Sequence, residues 1–379
     1  MTSRFSALLL ALVAAPTAGQ GVQGDVRRFA AAYLPDLPEG VIEVRVDASA
    51  ATYAGTYQAM TIVRQDPATA VKEGERAGEQ LGALVDTDAR TITPGVLLPL
   101  SPPKPAADAG ALRSFAEGTL PSFLSNVMGA RVRVRWPSVP ARPTAVVPLT
   151  AELSTGYGWV KMPLGLSADG RQLAVGAAWP LDRDPREVRR ALLDSADVLW
   201  DPGHEQAVVK LVEFSDYQCP GCKRAWADYK PVFAQPGEKL RHGMVNFPLV
   251  RNHPWAFRAA VAGSCVAAGA PGELVNLKDE MYRLQDSLTV ETVDDAVFGF
   301  LLQRTLDEAA FRACYMKDAA VDNVLRQMEL GHRLGVLATP SYFANGELLP
   351  FGKPDVVAAR LRAIIAAGGK PEAANSVAH

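Results

Sequence analysis

Cys219-Pro220-Gly221-Cys222 constrains this 379-residue chain more than any other feature of its sequence. An apolar β-like run, residues 208–214, leads through the short loop 215–218 into the pair, and residues 223–233 follow with helical patterning. A strand, a loop, two cysteines and a helix in that order set the first sulfur at a helix N-terminus. Unpaired N–H groups and the helix dipole stabilise a thiolate there. Cys219 is therefore expected to be the reactive thiol, with Cys222 shielded one turn further in and second to act. Pro220 falls at the helix start, where its missing N–H costs nothing. Other uses of such a pair compete. A structural disulfide is open to any exported chain. A zinc site needs more ligands at matching spacing, and Cys265 and Cys314 form no second pair. Covalent haem needs a histidine after the second cysteine, where Lys223 stands.

The length exceeds one ordinary core and suggests two domains. With 48% apolar and 21% charged residues the composition fits a soluble protein, and a formal charge of -2 gives no reason to expect nucleic acid or an anionic membrane as partner. At the start, Arg4, the apolar run 5–15 and Pro16-Thr17-Ala18-Gly19 form a signal-peptide pattern over residues 1–19. The apolar run is short against the roughly 20 residues a spanning helix needs. The mature chain is expected to be soluble and exported, in the periplasm or otherwise outside the cytoplasm, where disulfides persist. All four cysteines, Cys219, Cys222, Cys265 and Cys314, lie in the C-terminal half.

Residues 22–180 read as an α+β domain. Helices are expected at 25–34, 70–85 and 111–128, the last two separated by the proline-rich 99–105. Strands are expected at 41–46, 57–63 and 145–153, and at 130–136, where Val132, Val134 and Trp136 alternate with arginines. Segments 158–166 and 172–178 flank an Asp169-Gly170 turn and suggest a hairpin. No internal repeat stands out. Residues 181–204 read as a linker with a charged helix at 185–195, residues 205–368 as a second domain, and 369–379 as a disordered tail.

Within 335–346 the pattern is a loop, a short strand and an Asn345-Gly346 turn. Thr339-Pro340 reads as a cis peptide beside the cysteine pair. X-Pro is the low-cost cis bond, and a residue without an N–H leaves no donor to compete near the sulfurs. The Thr339 backbone is then free to pair with a substrate peptide. Alone, this dipeptide would read as trans; its conjunction with the cysteine pair carries the assignment.

Together, Val212-Glu-Phe-Ser-Asp-Tyr-Gln-Cys-Pro-Gly-Cys222, Phe247-Pro-Leu249 with His253-Pro254, and Thr339-Pro-Ser-Tyr-Phe343 with Asn345-Gly346 resemble the DsbA-like thioredoxin-fold thiol-disulfide oxidoreductases, over roughly residues 205–367. The resemblance implies an α/β thioredoxin-like catalytic domain with a helical insertion at about 255–334, preceded by a separate α+β N-terminal domain. It makes Cys219 the nucleophile, Cys222 the resolving thiol and Pro340 the cis-proline beside Thr339. Glu213 becomes a buried acid that accepts or relays a proton; the plainer alternative is an exposed or salt-bridged carboxylate. For Cys265 and Cys314 it implies a structural disulfide, with free buried thiols as the alternative. His253 matches a family position and reads as structural. Trp226 and Tyr229 read as core-facing, while His242 and His332 carry no signal.

The implied partners are client proteins with thiols or disulfides and a redox partner that reoxidises or reduces the pair; no cofactor, metal or nucleic acid is implied. Pro220-Gly221 lacks the histidine of the strongest oxidants, and Thr339 is similar to its counterpart in DsbC and DsbG. The layout is similar to those dimeric enzymes, which suggests homodimerisation through the N-terminal half. Oxidase, isomerase and reductase stay open. A non-catalytic peptide-binding chaperone or adaptor is the competing class.

Overall fold

The computed structural model describes residues 18–34, 41–65, 79–101, 105–137 and 144–370; the expected signal peptide, save its last two residues, and the expected tail beyond residue 370 lie outside the described residues. Helix α1 (Ala18–Tyr33) buries Val22, Val26, Phe29, Ala30 and Tyr33, a helical spacing, on a meander of β1 (Val41–Thr52), β2 (Gly55–Gln65), β3 (Glu79–Asp86) and β4 (Thr91–Pro99). Then α2 (Ala109–Gly118) and α3 (Leu120–Met128) cover a second meander, β5 (Val132–Arg135), β6 (Val146–Ser154), β7 (Trp159–Ser167) and β8 (Gln172–Val175). β4 and β8 pair antiparallel, so the strand order is β1-β2-β3-β4-β8-β7-β6-β5, and β9 (Trp179–Pro180) adds to β4. A helical layer followed by four strands thus occurs twice, joined along one seam with reversed order, a repeat of topology that the sequence does not display. Gly95 lies at the seam with φ 155, and a Cβ there would collide with the Val175 carbonyl.

Several expectations change here. Residues 79–86 are a strand rather than the end of a helix, and residues 70–78 lie outside the described residues. Leu81, Ala83 and Val85 face the α1 core while Leu84 faces the opposite cluster. A strand buried on both faces reads as a short apolar run, which periodicity cannot separate from a helix. β4 has no strand signal in the sequence because Pro94-Gly95 sits in its middle. Segment 111–128 is two helices, since Pro121 in the first turn of α3 has no N–H with which to continue α2.

The expected linker is a packed joint. In α4 (Pro185–Asp194), Arg189 is 1% exposed, its guanidinium 4.1 Å above the Tyr33 ring and 5.3 Å from that of Phe343, with Nη1 donating to the Tyr33 carbonyl at 2.8 Å. β10 (Leu199–Trp200), also in the expected linker, is an edge strand of the second sheet.

That sheet continues with β11 (Val209–Ser215), α5 (Pro220–Ala234) and β12 (Leu240–Asn246). Helices α6 (Ala256–Gly269), α7 (Leu274–Leu284), α8 (Val293–Gln303), α9 (Glu308–Tyr315) and α10 (Asp318–Leu334) intervene before β13 (Ser341–Ala344), β14 (Glu347–Leu348) and α11 (Pro354–Ala366). The order is β10-β12-β11-β13-β14, with β11 parallel to β12 and antiparallel to β13, a thioredoxin-like fold with a helical insertion. β11 is central and apolar on both faces: Val212 and Phe214 join the core of the insertion, Val209 and Leu211 the core under α5 and α11. A disulfide between Cys265 and Cys314 ties α6 to α9. Tyr157 stacks on Phe257, ring centres 4.1 Å apart, joining the β6–β7 turn to α6. Among the described residues no helix is long and apolar enough to cross a membrane.

Candidate active site

Cys219 is the N-cap of α5 and Pro220 opens the helix, so the sulfur sits where the first helical amides are unpaired. The two thiols are not bonded to each other; Cys219 is 7% exposed and Cys222 fully buried. The Cys219 sulfur lies 3.4 Å from the Thr339 carbonyl oxygen, and Thr339-Pro340 is cis. Gly221 faces both, since a Cβ built on it would stand 3.5 Å from Cys219 Sγ and 3.7 Å from Pro340 Cδ. A hydrogen bond from the Cys222 thiol outweighs burial and brings the Cys219 pKa down to about 5, while burial and the neighbouring sulfur push Cys222 well up.

The loop before the cysteines is held from several sides. Asp216 is 1% exposed; its Oδ1 accepts from the Gln218 amide at 2.7 Å and its Oδ2 from Leu249 N at 2.8 Å and His253 Nδ1 at 2.6 Å. Gln218 Oε1 accepts from Trp255 N at 2.9 Å. From the end of α7, Gln285 donates to the Tyr217 and Cys219 carbonyls at 2.9 and 3.2 Å.

Behind the pair, Glu213 on β11 is 0% exposed. Lys278 Nζ from α7 lies 2.7 Å from its Oε2, and His242 Nε2 from β12 lies 3.2 Å from the same oxygen. His242 Nδ1 in turn meets Asp201 Oδ2 at 2.9 Å, and the Lys278 ammonium sits 3.8 Å over the Trp226 ring. Burial alone would raise the Glu213 pKa, but the Lys278 charge and the His242 hydrogen bond overcome it and hold the carboxyl at about 2. Glu213 is therefore both buried and salt-bridged, combining parts of the two expectations. Its Oε1 has no hydrogen-bond partner among the described residues.

Trp226 and Tyr229 are buried. His332 packs against Phe247, ring centres 5.1 Å apart, and burial lowers its pKa to about 4. Lys278 and His242 were missed in the sequence: one is an ordinary residue of an amphipathic helix, the other a lone histidine in a strand, and only folding brings them to Glu213. Among the described residues no cluster of His, Cys, Asp and Glu is arranged to hold a metal ion.

Residues 199–365 match the protein-family model described as Thioredoxin. The Na(+)/H(+) antiporter NhaA 1 of Mycolicibacterium vanbaalenii is 30% identical over 144 residues, which are 38% of this chain and 23% of that protein. Disulfide bond formation protein D of Bacillus subtilis is 25% identical over 152 residues, 39% of this chain and 68% of that protein. Among solved structures, oxidised BdbD from Bacillus subtilis is 22% identical with a TM-score of 0.38, covering 42% of this chain and 89% of that one. Wolbachia pipientis alpha-DsbA1 is 16% identical with a TM-score of 0.39, covering 45% and 92%. The chain spans about a quarter of the length of the antiporters it matches.

Proposed function

Taking residues 199–365 as a thioredoxin-superfamily domain, we propose that this protein is an exported thiol-disulfide oxidoreductase that exchanges electrons with the cysteines of client proteins through Cys219 and Cys222. The observation that carries the proposal is the Cys219 sulfur at the start of α5, its pKa lowered to about 5, facing the Thr339 carbonyl at 3.4 Å. Near neutral pH such a sulfur is almost wholly thiolate.

In the reducing direction Cys219 attacks a client disulfide, forms a mixed disulfide and releases one client thiolate. Cys222 then loses its proton and attacks Cys219 Sγ. The second client sulfur leaves, takes up a proton, and a Cys219–Cys222 disulfide remains. Two electrons have passed to the client; oxidation is the reverse. Thr339 and Pro340 border the nucleophile where an extended client segment would lie. Glu213, kept ionised by Lys278 and His242, acts as a transient relay for the Cys222 proton rather than as a resting acid. A strongly stabilised thiolate favours the reduced form of the enzyme, which makes the couple oxidising and favours disulfide formation or isomerisation over reduction.

An exported, extracytoplasmic setting suits a chain that holds both a Cys265–Cys314 disulfide and a redox pair. Homodimerisation through the N-terminal domain would use β1 and β5, the two ends of the strand order among the described residues; a single species of monomer mass in sedimentation at micromolar concentration would remove it. The functional test is insulin reduction and refolding of scrambled ribonuclease by the full chain. Activity that disappears in Cys219→Ala is the expected result. Chaperoning that is unchanged in that variant, with no redox turnover in the wild type, would overturn the proposal in favour of a peptide-binding module.

A further inference from the structure

We propose that His253, seated on Asp216 beside the active-site loop, is a positioning residue that neutralises the Asp216 charge acting on the Cys219 sulfur, an inference that rests on reading Cys219 as the attacking thiolate. The tetrapeptide itself carries no charged side chain between its cysteines, so any charge that favours or opposes the thiolate must come from its surroundings. Asp216 opposes it. Asp216 is a buried carboxylate three residues before the nucleophile, and its own carbonyl accepts the Cys219 N–H at 3.1 Å. Of the three groups bonded to the Asp216 carboxylate among the described residues, two are backbone amides, of Gln218 and Leu249, with no net charge. The third is His253 Nδ1 at 2.6 Å.

The ring therefore decides whether this corner of the site is an anion or a neutral pair. Asp216 and the Cys219 thiolate are the charged groups that act on His253, and both raise its pKa, first through the hydrogen bond to Asp216 and against the effect of burial. The hydrogen bond to Asp216 thus favours the imidazolium form, whose charge offsets that of the carboxylate beside the sulfur.

Contacts other than His253 also hold the loop. Trp255 N holds Gln218, Leu249 N holds Asp216, and Gln285 holds the Tyr217 and Cys219 carbonyls. A histidine kept only for packing would be redundant with these contacts. What they do not supply is positive charge.

The test uses the reduced full chain with the active-site thiolate titrated by its ultraviolet absorbance. In His253→Gln, which keeps a donor to Asp216 but removes the charge, the midpoint is expected to rise by about one pH unit, the lower end of the effect of a nearby charge. The equilibrium constant against glutathione should move about tenfold in the less oxidising direction. His253→Lys restores a cation and is expected to bring both readings back toward the wild type. No change in His253→Gln overturns the proposal, as does a rise that lysine fails to reverse, because shape rather than charge would then be responsible. A wild-type midpoint near that of a free thiol would instead defeat the reading of Cys219 itself, and the wild-type titration reports that separately.

Discussion

Replacing Lys278 by methionine removes the ammonium 2.7 Å from Glu213 and leaves a carboxylate that is 0% exposed, with one oxygen already unpartnered among the described residues. Lys278 is itself 2% exposed, so solvent does little to screen the pair. Breaking a buried ion pair by removing one partner costs about 3–5 kcal/mol, because the remaining charge is uncompensated. Near 60 °C, each kcal/mol corresponds to roughly 2–4 °C for a domain of this size, so the melting point of Lys278→Met should fall by about 6–20 °C. His242 stays within 3.2 Å of Glu213 and softens the loss, which favours the lower half of that range. The double variant Glu213→Gln/Lys278→Met has no buried charge in the pair and should recover most of the deficit. Differential scanning calorimetry of the wild type, both single variants and the double variant gives the coupling. A lysine variant within about 1 kcal/mol of wild type, or a double variant no better than the single ones, would refute the assignment of Glu213 as an ion held in place by Lys278.

The dithiol form should gain stability over the disulfide form as pH rises from 5 to 8. Cys219 has a depressed folded pKa of about 5, so its contribution is complete above the unfolded value and is lost as pH falls through the folded one. Near neutral pH the difference is on the order of 2–3 kcal/mol, and denaturant melts of the two forms that differ by the same amount at every pH would contradict it. Opening the Cys265–Cys314 bridge in the double alanine variant frees a loop with a sequence separation of 49 and should lower stability by about 4 kcal/mol in the chain-entropy account. Equal urea midpoints with and without the bridge would argue against it.

How much of this was legible in the sequence depends on how local the cause is. The onset of α5 at Cys219, the strand ahead of it and the Thr339-Pro340 turn are set by residues adjacent in the chain, and each stands where the motif placed it. Glu213 could be placed by its offset from Cys219, but its state could not. That state is fixed by Lys278, 65 residues away, and by His242, 29 residues away, whose only signal is three-dimensional. In the N-terminal domain the visible strands were those with one wet face, such as β5, where Val132 and Val134 are buried and Arg133 and Arg135 exposed. β3 and β4 are buried on both sides or interrupted by Pro94-Gly95, so their period is masked, and with it the doubled order of helix and four strands. In the sequence α4 reads as a charged connecting helix. Arg189 is instead enclosed by Tyr33, Trp179 and Phe343, a use of charge that composition does not reveal.

The most direct test of the whole account is the rate of alkylation of Cys219 as a function of pH in the reduced protein, with the modified residue located by mass spectrometry. An inflection near pH 5 is predicted, with Cys222 unreactive throughout the neutral range. An inflection above about pH 8, the range of a free cysteine, would mean that no thiolate is held at the head of α5 and would contradict the account.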